Sequence, residues 1–156
     1  YREYGVDPLE RQFAEEVMTR DVRTIDASMP AADALAAYFG AGQAHRAFPV
    51  LRDAAVIGIV DRDTLAAASA AVDGATVGDV CAGAPLVIAL PDESCRLVAS
   101  RLALNRLERL PVVADTTSMR LVGLVARSDL VKPRLGHIEE EEKRERPRRA
   151  PWQSSK

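Results

Sequence analysis

Residues 123–130 read GLVARSDL, and residues 58–65 read GIVDRDTL. Each has a glycine, two apolar residues, a polar cluster and a leucine, and the two stand 65 residues apart. A phrase repeated at that distance marks a chain built from two copies of one unit. Other landmarks repeat in the same order. FPVL at Phe48–Leu51 precedes LPVV at Leu110–Val113 by 62 residues, EVMT at Glu16–Thr19 precedes DVCA at Asp79–Ala82 by 63, and Leu35 precedes Leu97 by 62. The lag reaches 65 only after ADTTSMR, residues 114–120, so three extra residues fall in a loop between two strands, where insertion is cheap.

Local patterns give each copy the same elements. Asp7 and Pro8 suit the start of a helix running to about Met18. Val22–Ile25 reads as a short strand, and Met29-Pro30 opens a helix whose buried stripe is Ala32, Leu35, Ala36 and Phe39, closed by Gly40 and Gly42. The apolar runs AFPVL and AVIGIV flank a tight hairpin, and Asp61 caps an alanine-rich helix that ends at Gly74. The second copy repeats this. LVIAL at 86–90 is a strand, Asp92 caps a helix carrying Leu97, Val98, Leu102 and Leu104, and LPVV with RLVGLV forms a hairpin. A short helix near Ser128 must stop before Pro133. Leu35 and Leu97 are expected to be buried equivalents.

The expected fold is therefore mixed, α+β or α/β, with two β-α-β-β-α units packed about a pseudo-twofold axis. The divisions are a connector helix at 1–21, a first unit at 22–73, a second at 74–133 and a charged, partly disordered tail at 134–156. In that tail Glu139–Glu142 precede Lys143, Arg144 and Arg146, which favours a solvated helix as far as Pro147. Trp152, the only tryptophan, lies beyond it.

Composition excludes several classes. At 47% hydrophobic residues the chain can bury a core, yet it has no apolar run of about 18 residues that would span a bilayer. Up to Leu135 there are 15 Lys and Arg against 18 Asp and Glu, a poor footprint for nucleic acid. Cys81 and Cys95 stand apart from each other and from His45 and His137, so neither a disulfide framework nor a metal-ligand spacing is present. No nucleophile elbow, phosphate loop or distinctive carboxylate pair supports an enzyme.

The order of elements, the repeat near 62 residues, the FPV and LPV strands and the G-h-h-x-x-x-D-L ending resemble a tandem pair of CBS domains, a Bateman module, over about Val17 to Lys132. The resemblance implies two clefts between the units, no required cofactor, possible binding of AMP, ADP or ATP, and a homodimer formed through helices. It also implies site residues. In the family pattern a Thr or Ser at the strand-to-helix corner meets phosphate, and an Asp one turn later takes both ribose hydroxyls. A helix N-terminus and a bidentate carboxylate suit those tasks. The first phrase puts Asp61 and Thr64 at those places, which sets a carboxylate against phosphate and leaves the diol a single hydroxyl. The second keeps Asp129, with Ser128 and Arg127 beside it and Ala126 at the Thr/Ser position. His45 and Arg46, just before FPV, would reach base and phosphate, and Thr24, Val22, Leu86 and Val87 would wall the base.

The FPV strand, RSDL followed directly by VKPR, and the charged tail are similar to the cytoplasmic C-terminal tail of CLC-type chloride channels and transporters. That likeness implies a cytoplasmic module that senses adenosine nucleotide between His45 and Arg46 of one unit and Ser128 and Asp129 of the other, and modulates an attached membrane transport domain. A stand-alone CBS sensor and a ligand-free structural dimerisation module are the alternatives.

Overall fold

The structure is a computed structural model that describes residues 8–40 and 46–131. The two apolar repeats form two antiparallel hairpins. In the first, β2 (Ala47–Arg52) pairs with β3 (Ala55–Asp61), and β1 (Ile25–Asp26) adds in parallel through Ile25 and Val50. In the second, β4 (Arg109–Val113) pairs with β5 (Leu121–Ala126). The segment expected as the strand LVIAL contributes one parallel bridge, Ala89 with Val112. Register slips between Val50 and Leu51 in one hairpin and between Val112 and Val113 in the other, at matching positions. The first hairpin turns on Asp53 and Ala54, both left-handed at φ 54 and 70, as a two-residue turn between twisted strands requires. The second turns through the longer loop, where the Asp115 carboxylate accepts the N–H groups of Thr117 and Ser118 at 3.0 and 2.6 Å.

Helix α3 (Ala31–Tyr38) precedes the first hairpin and α4 (Arg62–Ala71) follows it. Helix α6 (Cys95–Asn105) precedes the second, and a helical turn at 127–131 follows it. Asp61 caps α4 as expected, accepting the Thr64 N–H at 2.8 Å. The cap of α6 is Ser94 rather than Asp92; its Oγ accepts the Leu97 N–H at 3.1 Å. Helix phases differ from expectation. Ala31, Ala34 and Phe39 are buried in and after α3, while Ala32 and Ala36 face solvent. In α6, Val98 and Leu102 are buried, while Leu97 is 45% and Leu104 84% exposed. The helices match at a lag of 64, not 62, so Ala31 corresponds to Cys95 and Ala34 to Val98. Leu97 therefore corresponds to exposed Asp33 rather than to half-buried Leu35.

The single helix expected from Pro8 to Met18 is two short ones, α1 (Pro8–Arg11) and α2 (Ala14–Val17). Tertiary pairing interrupts it: Phe13 bridges Ser94, and the Cys95 N–H donates to the Gln12 carbonyl at 2.8 Å. The same arrangement recurs one unit on. Thr76 bridges Pro30, the Ala31 N–H donates to the Ala75 carbonyl at 2.8 Å, and α5 (Val77–Ala82) follows with Thr76 as its cap. Each of these leading segments fills the other unit's core. Ala14 and Met18 lie in a cluster with Val98, Leu102, Leu110 and Val125. Val77 and Cys81 lie in a cluster with Ile25, Val50, Val60 and Leu65. The exchange makes neither hairpin unit complete without sequence from the other half.

Two glycines allow it. A Cβ on Gly58 would stand 2.8 Å from the Cys81 sulfur, and one on Gly123 would press on the Met18 side chain and stand 3.0 Å from the Thr19 carbonyl. The units also meet directly, where Ala55 bridges Arg120, its own counterpart at the lag of 65, and the Val56 N–H donates to the Met119 carbonyl at 2.9 Å. Residues that pair with their own equivalents lie at the pseudo-twofold axis.

Candidate functional site

Among the described residues the exchange leaves clefts at two equivalent positions whose walls differ in charge. The first encloses about 450 Å³ and is lined by Thr19, Asp21, Val22, Arg23, Arg46, Ala47, Phe48, Arg109 and Leu124. The second encloses about 290 Å³, with Gly58, Ile59, Thr64, Val80, Cys81, Leu86, Val87 and Leu107 among its lining and Arg109 as its one cation. The first thus carries three guanidinium groups and one carboxylate. The second is apolar apart from Arg109, Thr64 and Asn105. A further cavity of about 360 Å³ shares Ile59, Leu107 and Arg109 with the second, and there the three cations Arg62, Arg106 and Arg109 stand with the three acids Asp61, Asp63 and Glu108. A cleft of the first kind suits an organic anion with planar acceptors such as phosphate.

The walls of the first cleft are set by local structure. Strand β2 enters the sheet at Ala47 and leaves Arg46 exposed just before it. Phe48 is buried and meets Tyr38 and Phe39 edge to face, with ring centroids 5.3 and 5.2 Å apart. Arg23 precedes β1, and its guanidinium lies 4.4 Å over the Tyr38 ring and 5.8 Å from the Phe48 ring. The Tyr38 hydroxyl donates to the Thr24 carbonyl at 2.9 Å, which fixes the ring under Arg23.

The residues singled out by sequence are dispersed by this geometry. Arg46 lines the first cleft. Thr24 flanks it, its carbonyl occupied by Tyr38. Val22 belongs to the first cleft, whereas Leu86 and Val87 belong to the second. His45 lies outside the described residues, as does the tail from residue 134. Arg127, Ser128 and Asp129 are not among the residues that line the first cleft, and Arg127 has other company. It lines a separate apolar cavity of about 340 Å³ with Leu9, Leu102, Leu130 and Val131, and pairs with Glu108 at 3.4 Å. Ser128 is exposed at the start of the final helical turn. Asp129 is half-buried, and its Oδ2 accepts the Ala126 N–H at 2.9 Å. Sequence reasoning missed Arg23, because its partner Tyr38 sits on another element and no short motif joins them.

The first-turn acids form opposite halves of one capping arrangement. Asp61 stands at the corner and accepts from Thr64, by N–H at 2.8 Å and by hydroxyl at 2.7 Å. Asp129 stands one turn in and reaches back to the corner residue Ala126. Each carboxylate therefore has a structural use, satisfying a helix N-terminal donor. The second oxygen of Asp129 makes no hydrogen bond among the described residues. Cys81 and Cys95 are buried and unbonded to each other, and burial pushes both thiols up to about 11. Among the described residues no group of three His, Cys, Asp or Glu is placed to hold a metal ion, and no helix is long and apolar enough to cross a membrane.

The family model described as CBS domain matches residues 14–71 and again 77–136. The chain is similar to solved structures of that kind. One is CBSX2 in complex with AMP, 23% identical, TM-score 0.68, covering 81% of this chain and 98% of that one. Another is the CBS domain of the bacterial CNNM/CorC family Mg2+ transporter in complex with ATP, 21% identical, TM-score 0.67, covering 82% and 90%. A third is the CBS domain pair of protein MJ0100 in complex with 5-methylthioadenosine and S-adenosyl-L-methionine, 19% identical, TM-score 0.65, covering 81% and 98%. No curated protein matches the chain by sequence.

Proposed function

Because this chain belongs to the CBS domain family and carries the domain twice, we propose that it is a regulatory, non-catalytic module that binds one adenosine nucleotide in the first cleft. The observation that carries this reading is the difference in charge between two otherwise equivalent clefts: Arg23, Arg46 and Arg109 line the first, and Arg109 alone among cations lines the second. Relatives of the same fold hold AMP and ATP, which supports an adenosine ligand. Arg46 takes phosphate, and Asp129, on the helical turn that follows the strand carrying the cleft residue Leu124, takes the ribose diol by its place in the family pattern. The apolar second cleft, with Thr64 in place of that carboxylate, stays without nucleotide.

The module is a homodimer joined through its helices. The exposed Leu97 and Leu104 on α6 and Val131 on the final turn give that contact apolar surface. Sedimentation showing monomer alone at high micromolar concentration contradicts it. The host is a CLC-type chloride channel or transporter on its cytoplasmic face, supported by the sequence likeness of the FPV strand and of RSDL followed by VKPR. The gene upstream of Tyr1 tests this: a series of hydrophobic spans of about 20 residues each is expected there.

Calorimetric titration of AMP, ADP and ATP tests the ligand reading. Saturable binding at one nucleotide per chain is expected. Absence of binding at millimolar concentration removes the sensor and leaves a structural module.

A further inference from the structure

The first cleft is lined by two guanidinium groups, those of Arg23 and Arg46, that have no counterpart in the second. With Arg109, which lines both clefts, the first sets three guanidinium groups against the one carboxylate of Asp21. The equivalents of Arg23 and Arg46 one unit on are Val87, which lines the second cleft, and Glu108, which pairs with Arg127 instead. The excess of charge is thus particular to one cleft and is not a consequence of the fold.

Arg23 differs from an ordinary surface arginine in being held. Its guanidinium stacks at 4.4 Å over Tyr38, whose hydroxyl is tied to the Thr24 carbonyl at 2.9 Å, and Phe48 backs the same cation at 5.8 Å. Phe48 is 3% exposed and anchored in β2. A guanidinium already restrained by an aromatic face loses little freedom when it meets a ligand, and it keeps its N–H edge available for a planar acceptor. Tyr38 is then a positioning residue for Arg23.

We propose that Arg23 makes the first cleft selective for phosphate number, so that nucleoside di- and triphosphates bind in preference to the monophosphate and to phosphate-free adenosine compounds. This rests on the nucleotide reading above and adds to it a ligand class and the residue that sets it. Arg46 serves the first phosphate of any nucleotide, and Arg23 is engaged only by a longer phosphate chain.

The test is calorimetric titration of ATP, ADP, AMP and inorganic triphosphate into the full chain in magnesium-free buffer, repeated with Arg23→Met and Arg23→Lys. Arg23 is exposed, so these variants leave the core untouched. ATP should bind the wild type about tenfold more tightly than AMP, the scale of one charge-assisted contact. Arg23→Met should weaken ATP about tenfold and AMP by less than about threefold, and Arg23→Lys should recover part of the difference. Raising the salt concentration should narrow the ratio. AMP binding as tightly as ATP, or Arg23→Met weakening both equally, overturns the proposal while the nucleotide reading stands. Binding of inorganic triphosphate that depends on Arg23, with no nucleotide bound, supports the charge selectivity and removes the nucleotide. Binding of neither removes both.

Discussion

The Asp129 carboxylate accepts the Ala126 N–H at 2.9 Å, and at the matching corner of the first unit the Asp61 carboxylate accepts the Thr64 N–H at 2.8 Å. Both acids cap a helix, but from opposite ends of the same four-residue frame. The two therefore separate structural from ligand roles. Asp129→Ala and Asp61→Ala should each cost about 1 kcal/mol in chemical denaturation, the worth of a lost cap. Asp129→Ala should in addition weaken adenosine-nucleotide binding by roughly 10- to 100-fold. Asp61→Ala should leave affinity unchanged or raise it. Equal affinities for the two variants would reduce Asp129 to a cap.

Exchange of the leading segments depends on bare backbone at Gly123. A methyl there meets Met18 and stands 3.0 Å from the Thr19 carbonyl. Met18 can yield, but the carbonyl belongs to the Thr19–Leu124 bridge, in which each residue's N–H donates to the other's carbonyl at 2.9 Å. Gly123→Ala should destabilise by about 1–3 kcal/mol through overpacking. Thermal or chemical denaturation measures it, and no change would mean that the leading segment is not seated as described.

Leu97 and Leu102 lie on the same helix and should respond very differently. Leu102 is 1% exposed, and Leu102→Ala should cost about 2–5 kcal/mol. Leu97 is 45% exposed in the single chain. Its replacement by Ala should change monomer stability by less than about 1 kcal/mol. Denaturation at a concentration where the chain is monomeric distinguishes the two.

Acid stability should depend on Glu93. Arg101 donates to both of its oxygens at 2.6 and 2.9 Å and to the Ile88 carbonyl at 2.8 Å, while the Leu90 N–H also donates to Glu93. The hydrogen bonds from Arg101, with the Leu90 N–H and the nearby positive charge, hold the Glu93 carboxyl below its ordinary value of 4.5, against a smaller opposing effect of burial. A carboxyl depressed in the folded state stabilises fully above its unfolded value. That stability is lost as pH falls below about 4.5 and through the lower folded value. Glu93→Gln should lower stability at neutral pH by roughly 1–3 kcal/mol and flatten the decline between pH 5 and 3. An unchanged acid limb in urea titrations across that range would exclude the pair as its source.

Much of this fold is legible in the sequence because strands and hairpins carry local signals. FPV and LPV are apolar runs that need burial, and their lag of 62 places both hairpins. The helix phase is harder to read. Two extra residues in the first unit lie between the helix and FPV, so carrying the strand lag into the helix set Leu97 against Leu35. Moving by two residues along a helix rotates a side chain by more than half a turn, enough to exchange buried and exposed faces. The break at Gln12–Phe13 had no local signal, since Ser94 and Cys95 impose it from another part of the chain. For the site, position before FPV identified Arg46. Arg23 depends on an aromatic face 15 residues away, which only the folded chain brings beneath it.

Photolabelling with an azido derivative of ATP, followed by mass-spectrometric mapping, tests directly whether one cleft holds nucleotide and its twin does not. Label that excess ATP suppresses should fall within residues 19–24 or 46–48, at one per chain, and Arg46→Ala should reduce it strongly. ATP-protected label on residues 84–87, or no protected label at all, would contradict the account.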